Sequence, residues 1–463
     1  MTYQVDQRIV KKWAPMLDDP NEPKFRDRWT RDQTAQLMEN LDIANRVSAA
    51  QTRMMLLGEA GPTNSMGASS SDPSTGNIDI YDPVMMTMLR RSMPALISPD
   101  IMGQQAMTGP SGIIFALRSH YDSQTGSEMF YNEPDTGKTA RGGANVQSNT
   151  TTTGLASNTS IGGAIGNIGT VPGVSNNAAN NTYNFAGGLT TQWAEGLGSG
   201  SNQLWPEMAV SVEKATVMAK ERAMKVEYST ELAQDMMAVH NINTENLFDD
   251  LLQAELVADI NREMVRTVNI AAKTGSQQSE IHTPGIFNLD VDASGRWSVE
   301  KFKGLLFQID REANQIGIET RRRRGNVIIV SADVASALEA SGKLDIAGDI
   351  SSDLAAPDVN GPSVLGILNK RYKIVLDPYA GGNYFTIGFK GPNPMDAGLF
   401  YCPYVPLQKV RAIDSNTMQP KIGYKTRYGM VANPFAEGLN TNNGVINADA
   451  NVYYRRTIVQ SIL

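Results

Sequence analysis

Cysteine is almost missing from this 463-residue chain, with Cys402 alone present. One thiol cannot close an intrachain disulfide, which fits a reducing cytoplasm. A lone cysteine more often fills apolar space than acts as a nucleophile. Histidine is nearly as scarce. His120, His240 and His282 have no second His or Cys at ligand spacing, so no zinc pattern can be drawn. Charge is thin, at 19% of residues against 41% hydrophobic, where ~25% charged is usual. A surface so poor in charge invites burial against copies of itself. A basic excess is also lacking, since the net charge is -7. Proteins that grip phosphates carry a basic surface, so tight nucleic-acid binding is not expected. No apolar run reaches the ~18 residues of a membrane helix, and Met1–Val5 opens no signal-peptide pattern. The expectation is a protein made and used in the cytoplasm, with no membrane partner.

Catalytic signatures are missing too. There is no Gly-x-Ser-x-Gly elbow, no phosphate-binding Gly-Lys-Ser/Thr loop and no Gly-x-Gly-x-x-Gly turn. Gly196, Gly198 and Gly200 follow no clear strand and precede no helix. Asp249-Asp250 falls on a predicted helix and reads as a solvated face. No catalytic residue, cofactor or metal is therefore expected. A hydrolase whose site escapes notice is the most distant alternative, and a pocket with two or more perturbed titratable groups would revive it.

What is present is a sequence of distinct segments. Residues 1–59 mix both charge signs, and Leu37, Leu41, Ala44 and Val47 recur at helical spacing. Thr30 with Gln33 reads as a capping box, and the unit reads as a solvated amphipathic helix seeking a partner face. Residues 60–80 are a Gly/Ser/Pro linker. Val84, Met85, Met88 and Leu89 predict a helix, and Ile113, Ile114, Phe115 and Leu117 a strand. Residues 142–203 contain one charged residue, Glu195, and read as a projecting insertion of short strands and loops. Met208 to Val212 predicts a strand and Val217 to Tyr228 another extended piece. The ladder Leu252, Leu256, Ile260, Met264 and Val268 predicts a long helix over 244–273, with Gly275 as its stop. A second helix is predicted over 298–317, a buried strand over 327–330 and a short helix over 333–340. The pattern is α+β in two layers. Arg321-Arg322-Arg323-Arg324 is the sharpest charge feature. It reads as a solvated turn or as an intersubunit ion-pair site, for which arginine is suited. DNA contact is weaker, because no aromatic residue interleaves.

Three long strings carry a family resemblance. They are YDPVMMTMLRRSMPALISPDIMGQQAMTGPSGIIFALR at 81–118, LLFQIDREANQIGIETRRRRGNVIIVSA at 305–332, and a set within 376–435 that includes QPKIGYKTRYGMVANPF. They resemble the major capsid proteins of T-even-like tailed bacteriophages. The resemblance implies a Hong Kong 97-type capsid fold of class α+β. Residues 1–59 would be a propeptide and 60–118 an N-terminal arm. Residues 119–232 would be an extended-loop region with the insertion at about 142–203. A peripheral domain with a spine helix would span 233–297 and an axial domain 298–376. Residues 377–463 would be strands completing both. The implied role is hexameric capsomers of a head shell enclosing double-stranded DNA, held without sequence-specific binding. Implied partners are the chain itself, a vertex protein, a prohead protease and a scaffold or chaperone. The implied location is the virion, after assembly in the host cytoplasm.

The protease of such phages cuts after Leu-x-Glu or Ile-x-Glu. Two such tripeptides occur, Leu37-Met38-Glu39 and Leu57-Gly58-Glu59, roughly what composition alone gives. Position separates them. Glu59 stands between the helix and the linker, followed by the small pair Ala60-Gly61, where a protease can reach the backbone. Glu39 stands mid-helix. The cut is expected between Glu59 and Ala60. The alternatives are a pentameric vertex protein of the same fold and, further off, an encapsulin-type compartment shell.

Overall fold

The computed structural model describes residues 6–56, 96–130, 167–170, 182–184, 195–198 and 205–462, less a few short stretches of which the longest is 347–362. By contact it divides into two compact units, 1–114 with 215–463, and 115–214.

The first unit opens on two helices. Helix α1 (Gln7–Leu17) is capped by Asp6, whose carboxylate accepts the Arg8 N–H. Helix α2 (Arg28–Leu56) begins before the predicted capping box. Thr30 already lies within the helix, and the Gln33 carboxamide accepts the Ala106 N–H instead of serving the helix start. Over its described side chains the helix is not a solvated one. Leu37, Met38 and Leu41 are completely buried in the main apolar core, and α2 lies against strand β14 (Leu399–Ile413). The short helix α3 (Ser98–Ile101) leads to β1 (Gly103–Gln104) and β2 (Ser111–Tyr121). The predicted helix near 84–89 falls outside the described residues.

The unit resumes with the end of β5 (Met208–Met218), then β6 (Lys220–Glu227), α4 (Thr230–His240) and α5 (Thr244–Ala271). The long predicted helix is α5. Asn243 caps it by accepting the Glu245 N–H. It spans ~42 Å at 1.5 Å per residue, and its predicted ladder from Leu252 to Val268 is buried. Gly275 does not stop it. The chain passes at Ala272 directly into β7 (Ala272–Thr274), and Gly275 follows where a side chain would collide with Thr457 and Glu312.

After β8 (Ile286–Asn288), helix α6 (Ser298–Thr320) closes on Arg321, which takes the left-handed conformation at φ 53°. Next come β9 (Val327–Ser331), buried throughout, and α7 (Ala332–Ala340). The remaining strands are β10 (Leu344–Ile346), β11 (Ser363–Leu368), β12 (Tyr372–Asp377), β13 (Tyr384–Gly388), β14, β15 (Pro420–Ala432) and β16 (Asn451–Gln460).

Two sheets result. The larger has eight strands in the order β10-β11-β12-β9-β13-β16-β7, with β8 also on β16. The smaller has the order β1-β14-β15-β6. Helices α6 and α7 pack on the larger sheet, and α5 touches β16 of the larger sheet and β6 and β15 of the smaller. The observed architecture is the α+β one the sequence implies.

The second unit holds a ribbon of β2 with β5. Within the predicted insertion, β3 (Asn167–Thr170) and β4 (Thr182–Asn184) pair antiparallel; most of the rest of 142–203 lies outside the described residues.

Candidate assembly surfaces

Helix α5 is held in place by charge as well as by apolar contact. Toward the smaller sheet, Lys409 of β14 reaches Glu245 at 2.8 Å and also pairs with Asp249. Arg222 of β6 reaches Glu263 at 2.6 Å and pairs with Asp259. Tyr428 of β15 donates to Glu263. Toward the larger sheet, Arg262 grips both oxygens of the buried Asp377, at 2.7 and 2.9 Å. Asn269 donates to Tyr384 Oη and accepts from Thr386. Burial first, and then the Asp377 carboxylate, push the Tyr384 phenol up. The pair Asp249-Asp250 is therefore not a uniform solvated face: Asp250 is exposed, but Asp249 is 4% exposed and paired. Its partner Lys409 is 160 residues away in sequence, beyond the reach of any local pattern.

The ribbon in the second unit is turned inside out. His120 Nδ1 donates to Gly126 O, and Nε2 pairs with Ser211 Oγ at 2.9 Å. That pairing puts His120 and Ser211 on one face. Arg118 shares it and pairs with Glu128 at 2.9 Å, both largely buried. Burial, opposed by Arg118 and His120, holds the Glu128 carboxyl above its ordinary range. Alternation along each strand then puts Phe115, Leu117, Met208, Val210 and Val212 together on the opposite face. That face is open: Phe115 is 67% exposed, and Leu117 and Val212 are each 62% exposed. A sheet that buries its polar face and bares its apolar one is built to be covered. The strands were legible in the sequence, but not the inverted direction of their faces.

The sequence-predicted site residues fall in different places. Leu57, Gly58, Glu59 and Ala60 lie outside the described residues. The competing Glu39 is inside α2, where its carboxylate accepts from Lys12 and from Trp13 Nε1, and Leu37 and Met38 beside it are fully buried. Arg321 to Arg324 form the exposed turn between α6 and β9. Arg322 lies 3.8 Å from Asp396. Cys402 is buried in β14, and burial pushes its thiol up to about 12. Among the described residues no cluster of His, Cys, Asp and Glu could hold a metal ion, and no helix is long and apolar enough to cross a membrane.

Comparison with known proteins gives one family. The family model described as major capsid protein Gp23 matches residues 78–459. The major capsid protein of Salmonella phage ViI is 34% identical, over 99% of each chain. That of Vibrio phage KVP40 is 37% identical over 84% of each. The capsid vertex protein of Enterobacteria phage T4 is 24% identical, over 48% of this chain and 52% of its own.

Proposed function

This chain belongs to the Gp23 major capsid protein family and is a component of the virion, and from that premise we propose how it builds and matures its shell. The fold is read as the Hong Kong 97 type. In that reading α5 is the spine of a peripheral domain over 233–297, and α6 to β12 form the axial domain over 298–376. Residues 119–232 are the extended loop with its insertion, and 377–463 complete both domains. Copies of the chain join head to tail in hexamers, a heterologous contact that closes into a ring. The observation that carries this is the open apolar face of the ribbon, which a neighbouring subunit covers. Arg321 to Arg324, exposed together at one turn, supply a further intersubunit contact. The partial match to the vertex protein, against matches to major capsid proteins over nearly the whole chain, favours the hexamer role.

A vertex protein closes the shell, a scaffold or chaperone guides its assembly, and double-stranded DNA is enclosed without being read. The net charge of -7 suits a wall that does not hold the polymer tightly. A prohead protease cuts between Glu59 and Ala60, and removal of residues 1–59 makes maturation irreversible, as with other pro-segments. The test is the intact mass and first residue of the protein in purified particles. A mature chain beginning at Ala60 is expected, and Glu59→Gln should abolish that cut. Release of the same N-terminal peptide from the Glu59→Gln protein would show the cut to be elsewhere.

A further inference from the structure

Four side chains on α2 face the body of the same subunit. Trp29, Gln33, Gln36 and Asn40 recur at spacings of four, three and four, one stripe of a helix. Trp29 Nε1 donates to Gln104 O at 3.2 Å, and Gln33 accepts the Ala106 N–H. Asn40, only 7% exposed, donates to Met107 O at 2.8 Å and to Tyr404 O at 2.9 Å. Its own oxygen accepts from Gln36 at 3.2 Å, which fixes the amide with both N–H groups toward the two carbonyls.

What this stripe grips is a joint. Gly103 and Gln104 pair parallel with Phe400 and Tyr401, and the Met107 N–H donates to Pro403 O. At that point β14 slips register against β15 twice, between Pro403 and Val405 and between Val405 and Gln408. Tyr404 sits in the break. Asn40 thus bridges the segment entering β2 and the irregular stretch of the strand that runs on to Lys409, one of the residues that hold α5.

We propose that α2 is a clamp acting on its own subunit, fixing residues 104–107 to the broken stretch 403–407 of β14, and that its loss frees this joint to change pairing. The clamp rests on the reading that residues 1–59 are removed. Without α2, Gln104 O, Met107 O and Tyr404 O lose side-chain donors and the Ala106 N–H loses its acceptor. Buried backbone groups do not stay unpaired, so the joint re-forms with other partners. This gives cleavage a local two-state element to act on.

The experiment is hydrogen exchange on unprocessed shells of the full chain. The Ala106 and Met107 amides should be protected in the wild type. Asn40→Asp keeps the shape of the side chain but loses both donors. It should speed exchange of these two amides about tenfold, as the loss of a buried charge-free hydrogen bond does, without changing the amides of β9. Unprocessed Asn40→Asp shells should also expand at a lower denaturant concentration. Unchanged exchange and an unchanged expansion point would overturn the proposal. If Asn40→Asp does not fold, wild-type shells before and after processing decide, and equal protection of residues 104–107 in both overturns it. The mass of the released peptide, measured on the same sample, separates the two readings. A cut at Glu59 that leaves the joint unchanged sinks the clamp alone. If no cut occurs, the cleavage reading fails and Asn40→Asp still decides the clamp.

Discussion

Among single residues, Arg455 and Glu312 bear the highest stakes. Both are buried, at 2% and 0% exposed, and Arg455 Nε lies 2.7 Å from Glu312. Arg455 Nη1 reaches Glu319 at 2.8 Å. Glu312 also accepts from the Ser276 N–H, Gln278 and Gln308. Removing one partner of such a pair leaves a buried charge uncompensated. Arg455→Met should therefore destabilise the subunit by about 3–5 kcal/mol, read as a fall in the denaturant midpoint. Arg455→Lys should recover only part, because an ammonium is a single compact point charge and lacks the planar fork that sets Nε on Glu312 and Nη1 on Glu319. A midpoint unchanged by Arg455→Met would mean that water replaces the pair. Cys402 makes the opposite case, a reactive group kept idle. Only the thiolate is nucleophilic, and with the thiol pushed up to about 12 it stays protonated through neutral and mildly alkaline pH. Intact subunits at pH 8 should resist alkylation and unfolded ones should react fully, as mass spectrometry would show.

Secondary-structure elements differ in how openly the sequence declares them. The ladder Leu252 to Val268 gives α5 away, and the unbroken apolar run of β9 does the same, because their periodicity depends only on neighbours along the chain. The start of α2 differs from the expected one because Thr30-x-x-Gln33 matches a capping box, while Gln33 accepts from Ala106, 73 residues on. Asp249 escapes a local reading for the same reason, its cation lying on a strand 160 residues on. The ribbon shows a third limit. Short apolar runs identify β2 and β5 as strands but do not say which face meets solvent. The answer comes from Arg118 with Glu128 and His120 with Ser211, contacts made only in the folded unit. That inversion can be tested. Covering a Phe or Leu side chain is worth ~1.5–3 kcal/mol. Phe115→Ser with Leu117→Ser should thus leave the circular dichroism of the subunit unchanged and raise the concentration needed for shells at least roughly 100-fold. Normal assembly by the double variant would show that the face stays bare in the shell.

For the whole molecule, the order of events decides whether the N-terminal unit is dispensable. Residues 7–17 and 28–56 are not an appendage in the uncut chain. Trp13, Leu17, Leu37, Met38 and Leu41 belong to the same apolar core as the larger sheet. A chain synthesised without residues 1–56 would meet its first partners with that part of its core open and with the carbonyls of Met107 and Tyr404 unserved. Exposed apolar surface and unpaired strand segments on a nascent subunit favour aggregation over ordered assembly. In a finished shell the same loss falls on subunits already held by many neighbours, whose stability is set by the barrier to leaving. On the proposed cleavage, cutting after assembly should therefore be tolerated where deletion before it should not. Expression of the truncated chain should yield aggregates or aberrant particles by sedimentation and electron microscopy, while proteolysis of shells made from the full chain leaves them intact. Regular shells of normal size from the truncated chain would mean that the core closes without α1 and α2, and that their burial contributes nothing to assembly.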